Sequence, residues 1–169
     1  MKTLILFFSL CLVSVCCFNQ SVWSKNIQVD NILVQKSNRL MFLRQGNTII
    51  RSYKISLGDN PIGPKEKEGD EKTPEGTYKI TYHNPHSSYH LSLRISYPTP
   101  EQKKQARQNG YSAGGDIMIH GYPNWAIDSI FDMIHQTDDW TDGCIAVTNK
   151  EIEEIYHLVK DGTPITINP

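Results

Sequence analysis

The chain is short of cysteine: Cys144 stands alone beyond the first segment, where Cys11, Cys16 and Cys17 all lie. A protein that loses that segment has no second thiol and so no internal disulfide. Excess charge is lacking too, with 17 Lys+Arg against 18 Asp+Glu. No basic block points to nucleic acid, and no acidic tail points to disorder. A long apolar run is also missing. Leu4 to Cys17 is apolar but holds Ser9 and Ser14; it is too short to span a bilayer comfortably and suits the apolar part of a signal peptide. Lys2 supplies a positive start, and Val22 and Ser24 suit small-residue cleavage after Ser24. Residues 1–24 thus read as a signal peptide, with an uncleaved N-terminal anchor as the alternative, and residues 25–169 as a single domain. The expectation is an exported protein of the periplasm or cell envelope, peripheral to the membrane at most.

No internal repeat or low-complexity tract is visible, and 38% hydrophobic residues imply a polar surface over a modest core. Asn31–Gln35, Arg39–Arg44 and Asn47–Leu57 predict three strands with turns at Lys36-Ser37-Asn38 and Gln45-Gly46. Gly58–Pro74 is a loop dense in Gly, Pro and charge. Two strands follow at Thr77–Tyr82 and His90–Ser96, then a polar helix at Glu101–Asn109 and an apolar strand at Ile117–Ile119. Ile127, Ile130, Phe131 and Ile134 have the spacing of one helical face within Trp125–Gln136. After a polar loop, Thr137–Gly143, comes a strand at Cys144–Val147. Thr148 with Glu151 predicts a capping box, opening a helix that buries Ile152, Ile155, Tyr156 and Val159. A last strand spans Thr163–Ile167. Nothing in this order suggests βαβ alternation, so the class is mainly β with a few helices.

Cys144 is an intermolecular bridge, a buried inert thiol or a nucleophile. A free thiol is a liability in an oxidising compartment, which favours the nucleophile. Gly143 beside it allows close backbone approach, and N–H groups there are candidate oxyanion donors. A thiol nucleophile needs a base. His120, at the end of an apolar strand and before Gly121, has a better context than His135, which falls on a predicted helix. His83, His86 and His90 form H-x2-H-x3-H, a conceivable zinc pattern. Pro85 interrupts it and no Glu or Cys completes a known ligand set, so no metal or other cofactor is expected.

Three stretches carry a family resemblance: Lys72-Thr73-Pro74-Glu75-Gly76-Thr77-Tyr78, Ile117-Met118-Ile119-His120-Gly121 and Thr141-Asp142-Gly143-Cys144-Ile145-Ala146-Val147-Thr148-Asn149. In order, they resemble the L,D-transpeptidase catalytic domain (YkuD), over essentially residues 31–168. The resemblance implies an L,D-transpeptidase-like β-sandwich acting on peptidoglycan stem peptides. Cys144 would form a thioester by attack between the third stem residue and the terminal D-alanine, and an amine of another stem or of a lipoprotein would take the acyl group. His120 would be the proton acceptor and donor, oriented by the Gly121 carbonyl. Gly143 and Cys144 would supply oxyanion N–H groups, and Asp142, Asn149 and Tyr122 would line the substrate. The family's histidine before Gly-Cys is Asp142 here and its arginine after the cysteine is Ala146. The chain is closest to the T-D-G-C murein L,D-transpeptidase branch, some of whose members cut peptidoglycan–lipoprotein links. The alternatives are therefore a hydrolase using the same acyl-enzyme, or a non-catalytic peptidoglycan-binding domain. The longer interval from His120 to Cys144 predicts that the Trp125–Gln136 helix walls or covers the cleft.

Overall fold

The computed structural model describes residues 28–169; the signal-peptide reading and Cys11, Cys16 and Cys17 lie outside them. Eight strands and three helices follow in the order β1 (Asn31–Gln35), β2 (Leu40–Gln45), β3 (Thr48–Lys54), β4 (Gly76–Asn84), β5 (Ser92–Ile95), α1 (Pro100–Gln108), β6 (Met118–His120), α2 (Asp128–Thr137), β7 (Ile145–Ala146), α3 (Asn149–Leu158) and β8 (Pro164–Asn168). No helix among them is long and apolar enough to cross a membrane.

Alternation drives the first strands. Ile32 and Val34 in β1, and Met41 and Leu43 in β2, face inward and are buried. The strands form one sheet in the order β3-β2-β1-β8-β4-β5-β6-β7. The sheet curls until its ends meet: Ser56 N–H donates to Ala146 O at 3.1 Å, and Ala146 N–H to Ser56 O at 2.9 Å. The enclosed core draws on every part of the sheet, including Leu43, Ile80, Leu93, Ile119, Ile145 and Ile165. The mainly β class is what the structure shows.

Two local expectations need correction. β6 and β7 are parallel, with α2 in the crossover between them, so one β-α-β unit is present. Strands as short as Met118–His120 and Ile145–Ala146 leave no periodic signal from which to read it. The apolar face expected for α2 is buried only in part. Phe131, one of the four residues expected there, and His135, four positions on, face the protein and Ile134 is half-buried, whereas Ile127 and Ile130 are 63% and 50% exposed. Phe131 packs on Tyr122 and Trp140. His135 is held by Ser56 Oγ at 3.0 Å and Lys54 O at 3.1 Å.

The capping box at α3 is present: Glu151 N–H donates to Thr148 Oγ1 at 3.2 Å, and Thr148 N–H to Glu151 Oε2 at 2.9 Å. This fixes the chain just after β7. The stretch before β7 is tied by Asp139, which accepts from the Arg39 guanidinium at 2.6 Å and from Leu57 N–H at 2.8 Å.

Candidate active site

Strand register brings the two candidate groups together. Ile119 and His120 pair with Ile145 and Ala146, so Cys144, one residue earlier, falls beside Met118. Paired residues of neighbouring strands project to the same side. Cys144 and His120 therefore share a face of the sheet, and both line a cleft of about 400 Å³. Its other walls come from Asn84, Ser87–Tyr89, Ser92, Gly115–Met118 and Trp140–Asp142.

His120 is buried, with Tyr89 and Trp140 rings at 4.5 and 5.7 Å. Its Nδ1 lies 2.6 Å from Gly121 O. A carbonyl only accepts, so Nδ1 carries the proton and Nε2 keeps a lone pair. Burial pulls the His120 pKa down to about 4, against the Gly121 carbonyl, which favours the protonated ring. Burial likewise pushes the Cys144 thiol up to about 11. The resting pair is thus neutral thiol beside neutral imidazole. The thiol donates to Asp116 O at 3.7 Å, a residue in the left-handed region at φ 54°.

The loop before the thiol is closely supported from below. Gly143 has φ 124°, and a Cβ there would meet Lys72 O at 2.5 Å. Thr73, next to that carbonyl, is buried and accepts from Gly58 N–H at 3.1 Å. The Lys72-Thr73-Pro74 stretch therefore acts as the floor of the nucleophile loop. Gly143→Ala should lose about 3 kcal/mol or more of stability, from backbone strain and overlap together. Gly115→Ala, whose Cβ would find only Pro98 at 3.7 Å, should change it little. Urea unfolding of the two variants measures the contrast.

Several expected site residues stand elsewhere. The Gly143 N–H donates to Thr141 Oγ1 at 3.1 Å, and that hydroxyl donates on to Cys144 O at 2.9 Å. The Gly143 amide is thus turned into the loop and is not offered to an oxyanion. Asn149 does not reach the cleft: its Oδ1 accepts from Tyr122 N–H at 2.8 Å and its Nδ2 donates to Asp128 at 3.0 Å. It pins the turn after His120, where a Cβ on Gly121 would lie 2.6 Å from Asn149 Oδ1. Tyr122 is buried and donates to Asp132 at 2.9 Å, so it supports α2 and does not touch the cleft space. Asp142 is exposed at the cleft mouth. No α2 residue lines the cleft; the wall on that side is Trp140, just past the helix.

The histidine triplet is not gathered either. His83 engages Asp161 at 2.7 Å and Val159 O at 3.1 Å, while His90 engages Glu153 at 2.7 Å. Among the described residues no group of three His, Cys, Asp or Glu is placed to hold a metal ion. Tyr89, Thr141 and Asp116 escaped the sequence reading. Thr141 sat inside a quoted motif; the other two carry no local signal.

A thiol and a singly protonated imidazole thus line one cleft, on adjacent parallel strands of a curled sheet. Residues 30–167 match the L,D-transpeptidase catalytic domain (YkuD), and the chain belongs to that family. It is 33% identical over 113 residues to YafK of Escherichia coli K12, which carries an L,D-transpeptidase assignment; the match covers 66% of this chain and 37% of YafK. Among solved structures, the helical cell shape determining protein Pgp2 of Campylobacter jejuni is similar, with a TM-score of 0.59 and 27% identity over 86% of this chain and 51% of Pgp2. Bd1075 of Bdellovibrio bacteriovorus gives 0.55 and 27%, over 86% of this chain and 50% of Bd1075. The chain thus spans about half of these structures and just over a third of YafK.

Proposed function

We propose that the chain is an exported cysteine acyltransferase of peptidoglycan stem peptides, working through a thioester on Cys144. The observation that carries this reading is the Nδ1–H of His120 committed to Gly121 O, which leaves Nε2 as a base in the cleft that also holds the thiol. As Sγ attacks the carbonyl before the terminal D-alanine, its proton passes to Nε2. The C–N bond then breaks, the imidazolium protonates the leaving amine, and the acyl group stays on sulfur. An incoming amine, from another stem or from a peptidoglycan-linked lipoprotein, reverses these steps. With the Gly143 amide on Thr141, the oxyanion donor at this turn is the N–H of Cys144 itself.

A hydrolytic outcome uses the same acyl-enzyme with water as acceptor. Asp142, an exposed carboxylate at the cleft mouth, supports it, because it could orient either water or an ammonium. A purely binding role would require neither the thiol nor the oriented imidazole. Pgp2 is described as determining helical cell shape, and remodelling of the wall by this chain fits the same type of task. Export rests on the apolar leader, Leu4 to Cys17. Incubation with purified peptidoglycan and mass analysis of the products tests the reading. Cross-linked stems are expected for transfer, trimmed stems or released lipoprotein for hydrolysis, and unchanged material would contradict both.

The neutral pair sets a pH profile. The base is competent while His120 is unprotonated, so kcat/KM for acylation should fall as pH drops through about 4. Spontaneous thiolate appears only near pH 11, so alkylation of Cys144 by iodoacetamide should still be rising well above neutrality. A thiol limb well below its ordinary value of about 8.5, with an imidazole limb above about 6.5, would show an ion pair instead.

A further inference from the structure

Cys144 is flanked by two grooves. One is the cleft already described, which contains His120. The other, of about 630 Å³, is lined by Arg94, Lys103, Glu68, Glu71 and Gly114 among others. The two share Gly115, Asp116, Ile117 and Asp142, and Asp116 is the residue whose carbonyl the thiol touches. The shared stretch is therefore the saddle on which the nucleophile sits, with the base on one slope and Arg94 on the other.

Register places Arg94 on the catalytic face. Arg94 pairs with Met118, and Ser92 with His120. Adding the β6–β7 pairs gives two rows across the strands: Arg94, Met118, Cys144, and then Ser92, His120, Ala146. At about 4.8 Å per strand, Arg94 and Cys144 have backbones roughly 10 Å apart, a span that an arginine side chain and one substrate residue bridge together. The guanidinium has one ionic partner among the described residues. It lies 3.2 Å from the Asp116 carboxylate, with the two side chains 48% and 75% exposed, and a pair so open to water holds weakly. Lys65, also on this groove, is by contrast buried and tied to Asp70 at 2.7 Å.

The order of proton transfers assigns the two slopes. The leaving amine and the incoming amine both exchange a proton with His120, so both occupy the His120 cleft. The acyl half that remains on sulfur must then extend over the saddle into the second groove. Resting on the acyltransfer reading above, we infer that Arg94 binds a carboxylate on the acyl-donor half of the substrate, and so selects donors that carry one near the scissile carbonyl. Glu68, Glu71, Asp116 and Asp142 also line this groove. A carboxylate that misses Arg94 is repelled there, which sharpens the selection.

The test compares two synthetic stem tetrapeptides that differ only in a side-chain carboxylate or carboxamide on the residue ahead of the scissile bond. D-Alanine release gives kcat and KM for the wild-type chain, Arg94→Gln and Arg94→Lys. The wild type should prefer the carboxylate by about 10- to 100-fold, mainly in KM, as expected for a charge-assisted contact. Arg94→Gln should bring the carboxylate peptide down to the carboxamide level with little change for the carboxamide, and Arg94→Lys should restore part of the preference. Equal loss on both peptides would reduce Arg94 to a support for Asp116, and a wild type indifferent to the substitution would overturn the inference outright. Should neither peptide turn over, the acyltransfer reading fails. Arg94 is then judged by NMR titration of the Cys144→Ala chain: tighter binding of the carboxylate peptide, abolished by Arg94→Gln, upholds the carboxylate site, and equal binding refutes it.

Discussion

Cys144→Ala should remove all turnover, a loss of about 10⁴-fold or more, while leaving the fold in place. Alanine omits one atom at a position whose thiol makes only weak contacts, to Asp116 O at 3.7 Å and to the Met118 backbone; their loss costs about 1 kcal/mol or less. Two of the three serines in the cleft have committed hydroxyls. Ser87, Ser88 and Ser92 line it, but Ser92 Oγ is turned to Met118 Sδ at 3.3 Å and Ser87 Oγ accepts from Tyr89 N–H at 3.0 Å. The check is D-alanine release together with a urea unfolding curve. Residual activity near the wild-type level would end the cysteine mechanism.

His120→Ala should slow acylation by about 10² to 10⁴-fold. The thiol sits near 11, so at neutral pH almost none is ionised without help, and the loss of the base is felt in full. The residue is also buried between Tyr89 and Trp140, so truncation opens a cavity and leaves Gly121 O without its donor, at about 1–3 kcal/mol. His120→Asn separates the two effects, because its amide can still donate toward Gly121 O while offering no base. Both variants should be equally slow, with His120→Asn the more stable. His135→Ala should act in the opposite sense: it loses its bonds to Ser56 and Lys54 O, loosening α2, without touching proton transfer. A larger kinetic effect at His135 than at His120 would reverse the assignment of the base.

How much of this was legible in the chain follows from where each contact is encoded. That Cys144 and His120 share one cleft was legible because scarcity and local motifs mark both, and the tautomer of His120 depends only on the adjacent residue; the turn of the Gly143 N–H to Thr141 Oγ1 was not. The strands of the first half were legible because Ile32, Val34, Met41 and Leu43 alternate with polar neighbours. The cleft walls were not, since Asn84, Tyr89, Asp116 and Trp140 converge only once β4, β5, β6 and β7 lie side by side. Asn149 and Tyr122 were misread for a related reason: a polar residue near a nucleophile looks like a substrate contact until its partner, a backbone N–H 27 positions away, is known. The exposed Ile127 and Ile130 misled in turn, because helical spacing fixes which residues share a face but not which face meets the protein.

The central claim is a thioester between Cys144 and a stem peptide. Intact-mass analysis of the chain, acid-quenched during incubation with a stem tetrapeptide, tests it most directly. The account predicts an added mass equal to the peptide less its terminal D-alanine, located on Cys144 by digestion, removed by hydroxylamine and absent in Cys144→Ala. Release of D-alanine with no such adduct, or an adduct that persists when Cys144 is replaced, would contradict it.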